Sequence, residues 1–237
     1  MTVVRIWVVN PNTTETMTAG IARCVSALAG PTTEITAVTS RFGPPSIESH
    51  YDEAMSVPGL LDAIGSGEQT GVDGYVIACF GDPGLDAARE IAAGPVIGIA
   101  EAAMHTASHL GRGFSVVTTL ARTTGRAAEL AQRYGMQRFC LGIHACEIPV
   151  LDLETDPSAV KAVTEACRRA VDHDGSDAVV LGCAGMAEMC RVIADEIGVP
   201  VVDGVTAATL TVQSLVTMGL STCKRGEYAT PPEKVYT

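Results

Sequence analysis

No apolar run in the sequence approaches the roughly 18 residues that read as a membrane span, so a soluble globular protein without a membrane partner is expected. Positive charge is also scarce. Lys and Arg total 16 against 27 Asp and Glu, and a net charge of −11 leaves no basic face for a phosphate backbone, which excludes nucleic acid as a partner. The first ten residues carry one Arg and a short Val-rich run, without the longer apolar stretch and small-residue cleavage site of a signal peptide; a cytosolic protein is expected. No CxxC occurs, which removes zinc-ribbon and thioredoxin spacings. GxSxG and GxxxxGK[ST] are missing too, so serine-hydrolase and P-loop chemistry have no support. The segment Gly65-Ser66-Gly67-Glu68-Gln69-Thr70-Gly71 has the wrong third-glycine spacing for a dinucleotide fingerprint, and reads as a loop after a helix.

What is present is a chain of 237 residues, 47% hydrophobic, able to bury a sizeable core and equivalent to about 1.6 domains of ordinary size. Short β-branched runs alternate with Ala-rich segments, a rhythm that predicts parallel sheets covered by helices. Strands are expected at Val3 to Val9, Glu34 to Val38, Gly74 to Ala78, Val96 to Ile99, Phe114 to Thr118, Phe139 to Ile143, Ala178 to Leu181 and Val201 to Val202. Helices are expected at Glu15 to Ala29, Asp52 to Ser66, Asp86 to Ala93, Glu101 to Leu110, Thr123 to Tyr134, Ser158 to His173, Ala187 to Ile197 and Val205 to Met218.

The chain also repeats itself. Gly71-Val72-Asp73-Gly74-Tyr75-Val76-Ile77-Ala78-Cys79 aligns with Gly175-Ser176-Asp177-Ala178-Val179-Val180-Leu181-Gly182-Cys183 at a constant offset of 104, and Gly81 then matches Gly185. Further on, Pro95-Val96 matches Pro200-Val201 and Ala102-Ala103 matches Ala207-Ala208 at an offset of 105, while the strand ending at Asn10 corresponds to the one ending at Thr118. A period this long is no solenoid. It implies an α/β fold of two pseudo-symmetric lobes with mainly parallel sheets: residues 1–108, residues 109–204, and a C-terminal helix and tail, 205–237, packing back on the first lobe. The active site would lie in the cleft between them.

Eight cysteines are present, and a reducing compartment leaves them as thiols. Cys79 and Cys183 each follow an apolar strand and precede a helix, the edge of an α/β sheet at which ligands bind. In such places a cysteine either packs a tight turn or reacts. Equivalence within the repeat favours a facing pair, one thiol removing a proton from a carbon and the other returning one to the opposite face. Helix N-termini should lower both thiol pKa values, with Asp82 as an N-cap and Pro83 in the first turn. Cys24, Cys140, Cys146, Cys167, Cys190 and Cys223 read as structural.

Polar loops fill out the rim. Asn12 and Glu15 are spaced as a capping box, which would free Asn10 to face the crevice; Thr118 and Thr119 occupy the matching place in the second lobe. The loop Gly43 to Tyr51, with Ser46 and Ile47, offers donors for carbonyl oxygens, and His50 lies in it. Cys140, His144 and Cys146 lack a fourth metal ligand, and strand alternation accounts for their spacing. Glu101, His105 and His109, at i, i+4 and i+8, read as a salt-bridged face of one helix.

Val9-Asn10-Pro11-Asn12-Thr13, Gly43-Pro44-Pro45-Ser46-Ile47-Glu48, Ala78-Cys79-Phe80-Gly81-Asp82, Gly94 to Ala103, Ser115 to Thr119 and Leu181-Gly182-Cys183-Ala184-Gly185-Met186 together resemble the cofactor-independent aspartate/glutamate/hydantoin racemases, within them the hydantoin and allantoin racemases. The resemblance covers nearly the whole chain. It implies that Cys79 and Cys183 are the acid/base pair, that no cofactor or metal is required, that the substrate is a small cyclic ureide, and that the protein is a homo-oligomer. Phe80-Gly81 and Ala184-Gly185 stand where amino-acid racemases of the superfamily have Asn-Thr or Thr-His, which favours a neutral ring amide over an α-carboxylate. Substrate contacts are expected from Asn10, Ser46, Ile47, Phe80, Gly81, Thr118, Thr119, Ala184 and Gly185. Allantoin is slightly favoured over amino-acid hydantoins because Glu48, His50 and Asp82 lie in these loops. A Cys-dependent isomerase or decarboxylase of the superfamily, and a non-catalytic two-lobed binder with inert cysteines, are the alternatives.

Overall fold

The computed structural model describes residues 3–234. In chain order the elements are β1 (Val4–Asn10), α1 (Glu15–Ser26), β2 (Thr33–Thr39), α2 (His50–Thr70), β3 (Gly74–Ile77), α3 (Leu85–Ile91), β4 (Val96–Gly98), α4 (Ile99–Ala107), β5 (Phe114–Thr118), α5 (Thr124–Arg133), β6 (Cys140–Ala145), α6 (Asp152–Thr155), α7 (Ala159–Asp174), β7 (Ala178–Leu181), α8 (Cys190–Ile197), β8 (Val201–Asp203) and α9 (Gly204–Thr217). They form two four-stranded parallel sheets, ordered β2-β1-β3-β4 and β6-β5-β7-β8, so the α/β class and the duplication both stand. The two orders coincide when the second half is laid on the first.

Strand composition explains the layers. Alternate residues of a strand face opposite sides, and central strands buried on both faces are apolar throughout. Ile6 and Val8 of β1 and Val76 of β3 point into a core shared by both halves, with Met104, Phe114, Val116, Val180, Val205 and Val212. The outward residues Val9, Tyr75 and Ile77 meet Leu60, Ile64 and Leu85 under α2 and α3. Val117, Val179 and Leu181 do the same with Val163, Cys167 and Ile193 under α7 and α8.

The fourth strand of each sheet runs directly into a helix that crosses to the other half. Helix α4 packs against β7 and β8, α9 packs against β1, β3 and β4, and the two helices lie against each other. Their first residues meet where the halves are closest. A Cβ on Gly204 would overlap the Ile99 carbonyl oxygen, so one of these two equivalent positions has to lack a side chain for the helices to approach.

Local chemistry differs from expectation in several places. Gly65 to Thr70 is helical, the last turn and a half of α2, and Gly71 is its left-handed C-cap (φ 76°). Helix α1 has Thr14 as N-cap and no capping box; Asn12 Oδ1 instead takes the Thr14 N–H at 2.9 Å. Asp82 does not cap α3, whose N-cap is Gly84. Helix α4 ends at Ala107, so His109 leaves the supposed helical face, while Glu101 pairs with Arg89 at 2.6 Å. Cys223 is exposed and packs no core.

Gly204→Ala is expected to cost about 1–3 kcal/mol through overpacking and to lower the urea midpoint. Gly125→Ala, in α5 with open space around it, serves as the control and should be neutral or stabilising by about 0.5–1 kcal/mol.

Candidate active site

Strands β3 and β7 stop at Ile77 and Leu181, and the chain then turns tightly at each thiol. The Asp82 N–H donates to the Cys79 carbonyl at 2.9 Å, and the Met186 N–H donates to the Cys183 carbonyl at 3.1 Å. Both turns open into one cavity of about 170 Å³, and both cysteines line it. In each, the backbone N–H two residues on, Gly81 or Gly185, favours the thiolate of its own cysteine. Burial outweighs that donor. It pushes Cys183 up to about 12 and Cys79 well above the ordinary thiol value, contrary to the expected lowering. A charge on Cys183 raises Cys79 further, so the two thiols resist being ionised together.

The Cys79 turn is fastened from several sides. Asp82 has a positive φ of 44° and is buried, and its carboxylate takes the Ala100 and Glu101 N–H groups at 3.1 and 3.0 Å and the Tyr134 hydroxyl at 2.6 Å. It therefore caps α4 and ties the turn to α5, and does not reach the cleft. Burial pushes its pKa up to about 7 against those three donors. Gly98, the N-cap of α4, makes room, because a Cβ there would overlap the Asp82 carboxylate. Arg126 of α5 donates to the Gly81 carbonyl from Nε at 3.2 Å and Nη2 at 2.8 Å, and pairs with Glu53 of α2 at 3.3 Å. Burial raises the Glu53 pKa, and the Arg126 charge opposes that rise.

Of the residues singled out in the sequence, Ile47, Phe80, Gly81, Thr118, Thr119 and Ala184 line the cavity with the two cysteines, as does His50. Asn10, Ser46 and Gly185 are not part of its lining. Asn10 is fully buried, its amide donating to Asn12 Oδ1 at 2.8 Å and Thr18 Oγ1 at 3.0 Å, so it organises the loop after β1. The loop holding Ser46 is pinned through the Pro44 and Pro45 carbonyls, which accept from the Thr13 N–H and the Thr14 hydroxyl; beyond it Ile47 and Glu48 reach the cavity. Gly185 supports Cys183 from behind and borders a separate outer depression. Thr118 Oγ1 lies 3.0 Å from Thr123 Oγ1 and 3.3 Å from the Gly182 carbonyl oxygen.

Sequence reasoning missed Arg122, Thr123, Arg126 and Val150, all in the lining. The contacts of Arg126 and Val150 are long-range; the Val150 N–H, for example, donates to Glu48 Oε1 at 2.6 Å. The one local signal was the i, i+4 spacing of Arg122 and Arg126 just after a polar strand end. Besides the two thiols, five ionisable residues (Glu48, His50, Glu53, Arg122 and Arg126) thus share the lining of a small cavity with Met17, Ile47, Phe80, Ala127 and Val150.

Residues 6–212 match the family described as Asp/Glu/Hydantoin racemase. The chain is 46% identical over 233 residues to a hydantoin racemase of Pseudomonas sp. (strain NS671), covering 98% of this chain and 94% of that one. Among solved structures, it superposes on an allantoin racemase from Klebsiella pneumoniae with a TM-score of 0.96 and 51% identity, covering 99% of this chain and 96% of that one. An allantoin racemase from Pseudomonas fluorescens follows, with a TM-score of 0.94 and 39% identity over 99% and 100% of the two chains.

Because burial keeps both thiols protonated near neutrality, iodoacetamide should modify Cys79 and Cys183 in the free protein more slowly than exposed Cys223 at pH 7. Their rates should climb about tenfold per pH unit up to pH 9, read by peptide mass spectrometry. Pair rates that are fast and pH-independent at pH 7 would contradict the burial effect.

Proposed function

The chain belongs to the Asp/Glu/hydantoin racemase family, and from that premise we propose that it interconverts the enantiomers of a 5-substituted hydantoin by proton transfer between C5 and the two cysteines Cys79 and Cys183. A racemase is an isomerase. The observation that carries the reading is the placement of two thiols at equivalent strand ends on one cavity.

The chemistry follows from the ring. The C4 carbonyl of a hydantoin acidifies the neighbouring C5–H, and removal of that proton leaves an enolate. One cysteine, as thiolate, takes the proton and becomes a thiol. The other, as thiol, delivers its own proton to the opposite face of C5 and becomes the thiolate, so configuration inverts and protons balance. This cycle needs one ionised and one neutral sulfur; mutual repulsion disfavours ionising both, while burial keeps the singly ionised pair a minority near neutrality. A thiol with a raised pKa is also a stronger base once ionised, which narrows the gap to a carbon acid. Backbone N–H groups of the two turns, with Thr119, line the cavity and serve as donors to the enolate in this reading; an oriented donor of this kind contributes about 3–4 kcal/mol.

For the C5 substituent we favour allantoin. Its ureido group needs hydrogen-bond partners, and Glu48, His50, Glu53, Arg122 and Arg126 supply both donors and acceptors beside the thiols. An aryl or alkyl substituent would offer these groups no hydrogen bonds beyond those they already make with the protein.

Three outcomes test the reading. Cys79→Ser and Cys183→Ser should each lower racemisation by about 10²–10⁴-fold or more while one enantiomer retains C5 exchange with solvent deuterium; full racemisation by either variant would sink the two-base assignment. In the wild type, kcat/KM should rise with pH from 6 to 9, because a raised thiol pKa means the thiolate fraction grows throughout that interval. Loss of optical rotation should be faster for enantiopure allantoin than for 5-benzylhydantoin; the reverse order overturns the substrate assignment and leaves the mechanism standing.

A further inference from the structure

The second half carries a side-chain cluster that the proton-transfer chemistry does not use. His144 projects from β6, the edge strand of its sheet, and His173 and Asp174 close helix α7 beside it. The Asp174 side chain is only 7% exposed. Its Oδ2 accepts the Ser115 hydroxyl at 2.6 Å and lies 2.6 Å from His144 Nε2, and its Oδ1 lies 2.8 Å from His173 Nδ1. Space for the carboxylate comes from Gly142, where a Cβ would overlap it. One imidazole would satisfy a carboxylate that already holds a serine hydroxyl. A second imidazole reaches its other oxygen, so two ring nitrogens and the carboxylate are gathered in one place.

We propose that His144 Nε2, His173 Nδ1 and one Asp174 oxygen form a binding site for a borderline divalent cation of the zinc class, with water completing the shell. The three ligand atoms lie within 4.8 Å of one another. Tetrahedral zinc, with bonds of about 2.0–2.1 Å, requires its ligand atoms to stand about 3.3 Å apart, so slight outward movement of each imidazole from hydrogen-bond distance opens the position. Two nitrogens and one oxygen suit zinc, nickel or copper and disfavour magnesium or calcium. The Ser115 hydroxyl orients the carboxylate from the outer shell, as such sites require. His173 is 81% exposed and leaves an open path from solvent. None of the three residues lines the cleft, so the cation would clamp the edge strand β6 to α7 and take no part in the reaction.

The test must separate this site from the thiols, which also bind zinc. Protein labelled with 15N-histidine is titrated with zinc chloride and followed by long-range proton–nitrogen NMR of the imidazole rings, with thermal unfolding measured in parallel. One equivalent should shift the His144 and His173 ring nitrogens and raise the unfolding temperature. Both effects should vanish in His173→Ala, which removes an exposed side chain, and in Asp174→Asn, while His173→Ala keeps racemase turnover within twofold of wild type. Unmoved imidazole resonances at ten equivalents, or the same shifts in His173→Ala, overturn the proposal. So does cobalt binding that shows only thiolate charge-transfer absorption.

Discussion

The buried carboxylate of Asp82 is the constraint on which the site's geometry depends. It satisfies the first N–H groups of α4, accepts the Tyr134 hydroxyl from the other half, and sits three residues beyond Cys79. A helix N-terminus left without acceptors inside a core costs free energy for every orphaned donor. Here the acceptor comes from the turn that carries Cys79, so the cap and the thiol cannot move independently. In the second half Asp203, at the position equivalent to Gly98, caps α9 from its own N-cap position by accepting the Thr206 N–H at 2.7 Å. The duplication therefore retained the capping requirement but met it with different residues, and in the first half the cap comes from the turn that bears Cys79.

Each cysteine turn is also packed by the opposite half. Arg126 and Tyr134 of the second half hold the Cys79 turn, and on the other side Arg23 of α1 forms a bidentate pair with Glu188, just beyond Cys183, at 2.7 and 2.8 Å. A ligand placed between the thiols thus contacts two turns whose separation is set by contacts between the halves. Neither turn is positioned by its own sheet alone.

Much of this was legible in the sequence. Apolar strands at regular intervals, the offset of about 105 residues and the two Cys-x-Gly turns pointed to the sheets, the duplication and the cavity-facing thiols. Elements with strong periodicity, such as β5 and α7, fell where expected within a residue or two. The failures share a cause. Asn10, Asn12 and Asp82 are short polar residues whose partners are chosen by the fold, and local spacing alone assigned them the wrong ones. The stretch from Gly65 to Thr70 holds two glycines, which disfavour helix, yet packing of α2 over β3 overrides that propensity. Val150 carries no local signal, and the spacing of Arg126 from Arg122 does not reveal its partners, because their roles exist only across the cleft. Thiol pKa values went wrong in sign because desolvation, a property of the assembled core, exceeds the effect of the neighbouring N–H groups.

The crossing of α4 and α9 bears on the autonomy of the halves. Each half lends its last helix to the other's sheet and borrows one in return. Cut between the sheets, either piece would carry a helix with its apolar face turned to water and a sheet with one face stripped of cover. A single half could bury both only by trading helices with a second copy of itself, and the cleft would then lie on the dyad of that exchanged pair. Joined in one chain, the partners are always present at a fixed ratio and high effective concentration, and the two sides of the dyad are free to differ, as Ile99 and Gly204 do.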